Sequence, residues 1–141
     1  MKKIMMAGLV LMLLLAGCAG SAKTGIEIAE AWARAGVSGD NSAVYFKITN
    51  HDADNAQMIS AMSDLAQKTE LHRSTMGSDG TMMMMHQDSI SLPAGETVEF
   101  KPGDYHIMLI GLTRDLNVGD TIHLVLKLEG GREIDIEAVV K

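Results

Sequence analysis

Cysteine is almost missing from this 141-residue chain: the only one is Cys18. A lone thiol closes no disulfide within the chain. Long hydrophobic runs are missing too. The apolar stretch Ile4 to Ala16 has 13 residues, too short for a membrane-spanning helix, which needs about 20. Basic residues are outnumbered, 12 against 18 acidic, for a formal charge of −6. An acidic chain repels nucleic acid and anionic lipid, so cations or proteins with basic faces are the expected partners. No serine or cysteine nucleophile stands with an evident base, and no glycine loop has phosphate-binding form. The chain is therefore read as a binding protein and not an enzyme.

What is present begins with a leader. Lys2 and Lys3 precede the apolar stretch, which ends in Leu15-Ala16-Gly17-Cys18. This is the layout of a secretory signal peptide, and its end looks like a bacterial lipobox, in which the cysteine is acylated and becomes the mature N-terminus. Residues 1–17 are then the signal peptide, 18–25 a lipidated tether and 26–141 one domain, held on the periplasmic side of a bacterial envelope membrane by acyl chains such as palmitate. Losing Lys2 and Lys3 takes the charge from −6 to −8. Four of the 12 methionines go with the leader; the other eight call for an explanation.

Beyond the tether, short apolar or alternating runs are separated by turn residues. The expected strands are Ile26–Ala33, Ala43–Asn50, Gln57–Met62, Lys68–Ser74, Thr81–Gln87, Thr97–Lys101, His106–Leu112, Thr121–Leu128 and Arg132–Val140. Turn signals at this density, without a 3.6-residue apolar period, predict an all-β sandwich or barrel.

Chemistry concentrates in the middle third: His72, the run Met82 to Met85, and His106-Ile107-Met108. Side chains two apart on a strand share a face, so His106 and Met108 are displayed together, with Ile107 and Leu109 opposite. Imidazole beside thioether suits a soft or borderline metal ion. The stretch Met76 to Gly80 predicts a hairpin turn. Centred near Ser78, it would place His72 directly opposite Met84. Parity puts Met82, Met84 and His86 on that face and sends Met83 and Met85 to the core. Cu(I) prefers soft sulfur and tolerates imidazole. Thioethers also survive where thiols would oxidise. A blue-copper centre is excluded, because it needs a cysteine thiolate.

The spacing carries a resemblance. His72, Arg73, ten residues, Met84, 21 residues, then His106 and Met108 resembles the motif of periplasmic copper chaperones of the PCuAC domain family. The similarity runs from about Ile26 to Val140. It includes Ala31-Trp32-Ala33-Arg34, Tyr45-Phe46, Glu70-Leu71-His72, Leu92-Pro93-Ala94-Gly95 and Lys101-Pro102-Gly103. Arg73 stands where that motif often has methionine, and Asp104 replaces a usual glycine. The resemblance implies a cupredoxin-like Greek-key β-sandwich. It implies Cu(I) held by His72, Met84, His106 and Met108, and delivery to cytochrome c oxidase, often with a partner thiol chaperone. Other readings are a copper-sequestering tolerance lipoprotein and a non-metal interaction module of the envelope. Met82 and His86 are candidate auxiliary ligands, His86 for Cu(II). His51 and the carboxylates Glu27, Glu30, Asp52 and Asp54 are expected to be solvated. Trp32, Met58 and Met62 are expected to pack, and His123 to lie at or near the surface.

Overall fold

A computed structural model of the chain describes residues 23–141. The expected signal peptide and Cys18 lie outside the described residues. Ten strands follow in order: β1 Ile26–Ala33, β2 Ser42–Asn50, β3 Ala56–Met62, β4 Ala66–Met76, β5 Met82–His86, β6 Ile90–Leu92, β7 Thr97–Phe100, β8 Tyr105–Leu112, β9 Thr121–Leu128 and β10 Glu133–Val140. The described residues contain no helix. Alternation explains the strands. In β9, Ile122, Leu124, Leu126 and Leu128 are buried while Thr121 and His123 are exposed, and β10 repeats the pattern with Ile136, Ala138 and Val140.

The strands form one hydrogen-bonded ladder, in the order β5-β4-β8-β7-β2-β1-β10-β9-β3-β6, with β8 also pairing β2. Non-consecutive strands meet at two crossovers: β4 lies antiparallel to β8, and β1 lies parallel to β10. The ladder encloses one core, drawn from both halves of the chain and including Val44, Phe46, Ile48, Leu71, Phe100, Ile107, Leu109 and Leu126. Phe46 and Phe100 stack across β2 and β7, ring centroids 4.3 Å apart. Near its middle, β1 breaks register with β2 between Ala29 and Trp32, where Glu30 takes a positive φ of 56°. This is the signature of a β-bulge.

Several expectations are corrected. The sequence pattern does not predict β6, whose Ile90 and Leu92 are core residues on a strand pairing with β3; three residues are too few for a pattern. Trp32 is half-buried rather than core, tilted on Tyr45 at 4.6 Å. Met58 is fully buried, but Met62 is 42% exposed. His51 is not free in solvent: its Nε2 lies 2.6 Å from Glu27 Oε2. Among the carboxylates, Asp52 accepts from Gly25 N and from Arg132, and Glu30 accepts from Lys47. His123 is exposed, as expected.

Candidate metal centre

Three neighbouring strands present their non-core faces together. On β8, Ile107 and Leu109 enter the core, so His106 and Met108 face the other way. On β4, Leu71 enters the core and Glu70 and His72 face out with them. Register then decides the neighbours. His72 pairs with His106, Glu70 pairs with Met108, and Ala43 of β2 pairs with Met108 from the other side.

The β4–β5 hairpin corrects the expected register. His72 stands opposite His86, not Met84; Met84 faces Ser74, and Met82 faces Met76. The turn is centred on Asp79 rather than Ser78. Gly77 N–H donates to Thr81 O at 2.7 Å, and Asp79 Oδ1 accepts from Thr81 N and Oγ1 at 3.0 and 2.7 Å. Gly80 closes the turn at a φ of 81°, a conformation glycine adopts without steric cost. Moving the centre by one residue shifts each partner by two, so parity survives. Met84 remains on the face of His72 but sits diagonal to it, within reach of a long side chain.

Met83 and Met85 do not enter the core: they are 50% and 52% exposed. Among the described residues β5 pairs only with β4, and none of its residues belongs to the core cluster.

A cleft of about 240 Å³ gathers Met82, Met84, His106 and Met108, with Tyr45 and Ser74 also in its wall. His72 does not line it, but its ring centroid lies 5.8 Å from that of His106. The structure thus brings His72, Met84, His106 and Met108 into one neighbourhood. It also adds residues that were not read as part of a site, Glu70 and Tyr45. Glu70 was findable: two positions before His72, it shares that face.

The two imidazoles are oriented from behind. His106 Nδ1 donates to the carbonyl of Asp104 at 3.0 Å, which leaves the lone pair on Nε2. His72 Nε2 donates to Glu70 Oε2 at 2.9 Å, which leaves the lone pair on Nδ1. Both free nitrogens, His106 Nε2 and His72 Nδ1, are buried without a hydrogen-bond partner among the described residues. Burial pushes the His106 pKa below 6.5; the Asp104 carbonyl opposes this and the nearby His72 adds to it. The His72 bond, seconded by Lys68, holds the Glu70 carboxyl below its usual range.

The two departures from the PCuAC pattern bond to each other. Arg73 Nε donates to Asp104 Oδ1 at 3.0 Å, and its guanidinium lies 4.7 Å over the Tyr105 ring. Arg73 therefore points away from the cleft. The Asp104 carbonyl accepts from both Ser74 N and His106 Nδ1, so the Arg73 clamp ties β4 to the residue that aims His106.

The all-β fold is shared with solved proteins. The copper-bound PCuAC domain from PmoF2 superposes at a TM-score of 0.68 and 24% identity, over 82% of this chain and 92% of that one. The solution structure of CuI-DR1885 from Deinococcus radiodurans does so at 0.60 and 27%, over 88% and 83%. The fold is thus the cupredoxin-like β-sandwich of PCuAC copper chaperone domains. The family model described as "Putative lipoprotein LpqE-like" matches residues 26–140. The protein described as "Putative lipoprotein Lxx21020" of Leifsonia xyli subsp. xyli is 30% identical over 122 residues, 86% of this chain and 73% of its own length. The uncharacterized protein RP573 of Rickettsia prowazekii is 32% identical over 108 residues, and the match spans 59% of its length. The chain belongs to the LpqE-like lipoprotein family.

Proposed function

We propose that this protein is an extracytoplasmic metallochaperone that carries one Cu(I) ion as cargo on His72, Met84, His106 and Met108. The observation that carries this reading is the pair of buried, partnerless nitrogens, His72 Nδ1 and His106 Nε2, on adjacent strands. A buried polar atom left unsatisfied costs about 1–3 kcal/mol; two on paired residues of adjacent strands, one of them in a cleft with Met84 and Met108, suit a metal. Each imidazole donates its other N–H to an oxygen, the usual support of a metal-bound histidine. Four neutral donors add no charge, which favours the monovalent ion, and thioether favours it over harder ions. The related DR1885 was solved in a Cu(I) form.

Transfer fits the placement of Met84. It is 59% exposed on an end strand, so an acceptor can approach the ion from that side and exchange ligands. The resemblance to PCuAC chaperones supports cytochrome c oxidase, or a thiol chaperone serving it, as acceptor. The lipobox supports anchorage through Cys18, and the family's lipoprotein description agrees with it. Comparing membrane fractions of the wild type with those of Cys18→Ser tests the anchor; an unacylated, soluble wild type would refute it.

Titration of Cu(I) against a competing chelator tests the site. Met84→Leu nearly preserves volume and should cost under about 1.5 kcal/mol of stability, yet it should weaken Cu(I) binding at least about tenfold, or 1.4 kcal/mol. Met83→Leu should leave binding within about twofold, a difference of roughly 0.4 kcal/mol, because it lies off the cleft. Met82→Leu should fall between them, since Met82 shares the cleft wall. Loss with Met83→Leu and none with Met84→Leu would overturn the assignment on β5.

A further inference from the structure

The register that separates Met84 from His72 puts another group of donors together. On the face shared by β4 and β5, Glu70, His72 and His86 offer one ligand atom each, all within 4.8 Å of one another. His72 Nε2 lies 2.9 Å and His86 Nδ1 3.7 Å from the same Glu70 oxygen, Oε2. Ligand atoms around a tetrahedral ion with bonds of about 2.0–2.1 Å sit roughly 3.3 Å apart, and the two distances bracket that spacing. The second Glu70 oxygen is held by Lys68 Nζ at 3.1 Å, which leaves Oε2 for an ion. The far nitrogen of His86, Nε2, faces Asp88 Oδ1 at 3.6 Å, placed to orient the ring. One carboxylate and two imidazoles, with a side open to solvent at the exposed His86, make a donor set unlike the thioether cleft. It suits a borderline divalent ion, Zn(II) or Cu(II).

We propose that Glu70, His72 and His86 form a second, divalent-metal site that shares His72 with the Cu(I) site, so that the two are filled one at a time. The exclusion follows from the imidazole itself. A neutral ring carries one N–H and one lone pair. With Nε2–H donated to Glu70, Nδ1 keeps the lone pair that the proposed Cu(I) site uses. With Nε2 bound to a divalent ion, the proton sits on Nδ1 and the Cu(I) site loses that donor. The divalent ion also displaces the proton that ties His72 to Glu70. His72 is thus a two-position ligand, and its tautomer selects which ion the protein holds.

This inference rests on the copper reading only for the exclusion, and two variants separate the two. Apo-protein is titrated with Zn(II) against a chromogenic chelator, then with Cu(I). The wild type should bind one Zn(II) per chain and release it as Cu(I) is added. His86→Ala, on the exposed end strand, should weaken Zn(II) at least about tenfold, the range seen for lost metal-site contacts, and leave Cu(I) affinity nearly unchanged. Met84→Leu should do the reverse. No Zn(II) uptake by the wild type, or uptake unaffected by His86→Ala, overturns the second site. Zn(II) retained alongside bound Cu(I) overturns the sharing of His72. If Met84→Leu leaves Cu(I) unchanged, the copper assignment fails while the Zn(II) result still decides the second site.

Discussion

Burial holds the His106 ring neutral at pH values where an exposed histidine would begin to charge, because its pKa lies below 6.5. The unfolded chain takes up this proton near pH 6.5; the folded chain takes it up only at lower pH. The stability that neutral His106 contributes is therefore complete above pH 6.5 and is lost as pH falls through the lowered folded value. Urea unfolding of the metal-free protein should show the wild type losing stability relative to His106→Leu as pH drops from 7 to 5. Parallel curves for the two proteins would contradict a buried, neutral His106. The same neutrality readies Nε2 for an ion in mildly acidic surroundings, since protons compete poorly for a desolvated imidazole.

At the scale of elements, the β4–β5 hairpin matters most to the site and least to the fold. β5 contributes no residue to the core, and all five of its residues are exposed. Its register depends on the turn at residues 77–81. A Cβ on Gly77 would come within 2.8 Å of Asp79 Oδ1, the atom that accepts from Thr81. Gly77→Ala should therefore disturb the turn, weaken Cu(I) binding and leave thermal unfolding of the body within a few degrees of wild type. Equal losses in both would mean that the hairpin is part of the cooperative core. The same hairpin shows where sequence reading stops. Alternation put His106 with Met108 on one strand face and Met84 with Met82 and His86 on another, because the side-chain period of a strand is two whatever its partner; only the motif spacing joined the two sets. Register was not legible, because it depended on hydrogen bonds inside the turn, made by Gly77, Asp79 and Thr81. The fate of Met83 and Met85 was not legible either. Their alternation is that of a strand with a buried face, and only the packing reveals that no residue of β5 joins the core.

Taken whole, the molecule keeps its apolar core and its chemistry on opposite faces of the same strands. Ile107 and Leu109 fix β8 from inside while His106 and Met108 stand outside, so a ligand can be exchanged without repacking the core. Most of the strands could be read from turn spacing and alternation, since those patterns report directly on burial. Glu70, two positions before His72, was legible as a face-mate of that ring, whereas the Asp104 carbonyl was not legible as the partner of His106, because a bond to a backbone oxygen leaves no mark on the choice of side chain. Nor was the bond between Arg73 and Asp104, 31 residues apart, although both positions stood out against the PCuAC pattern. The most direct test of the whole account is X-ray absorption at the copper K edge of the Cu(I)-loaded protein. It should show a shell of two nitrogen and two sulfur scatterers, with one sulfur lost in Met84→Leu. A shell without sulfur, or one unchanged by that substitution, would contradict it.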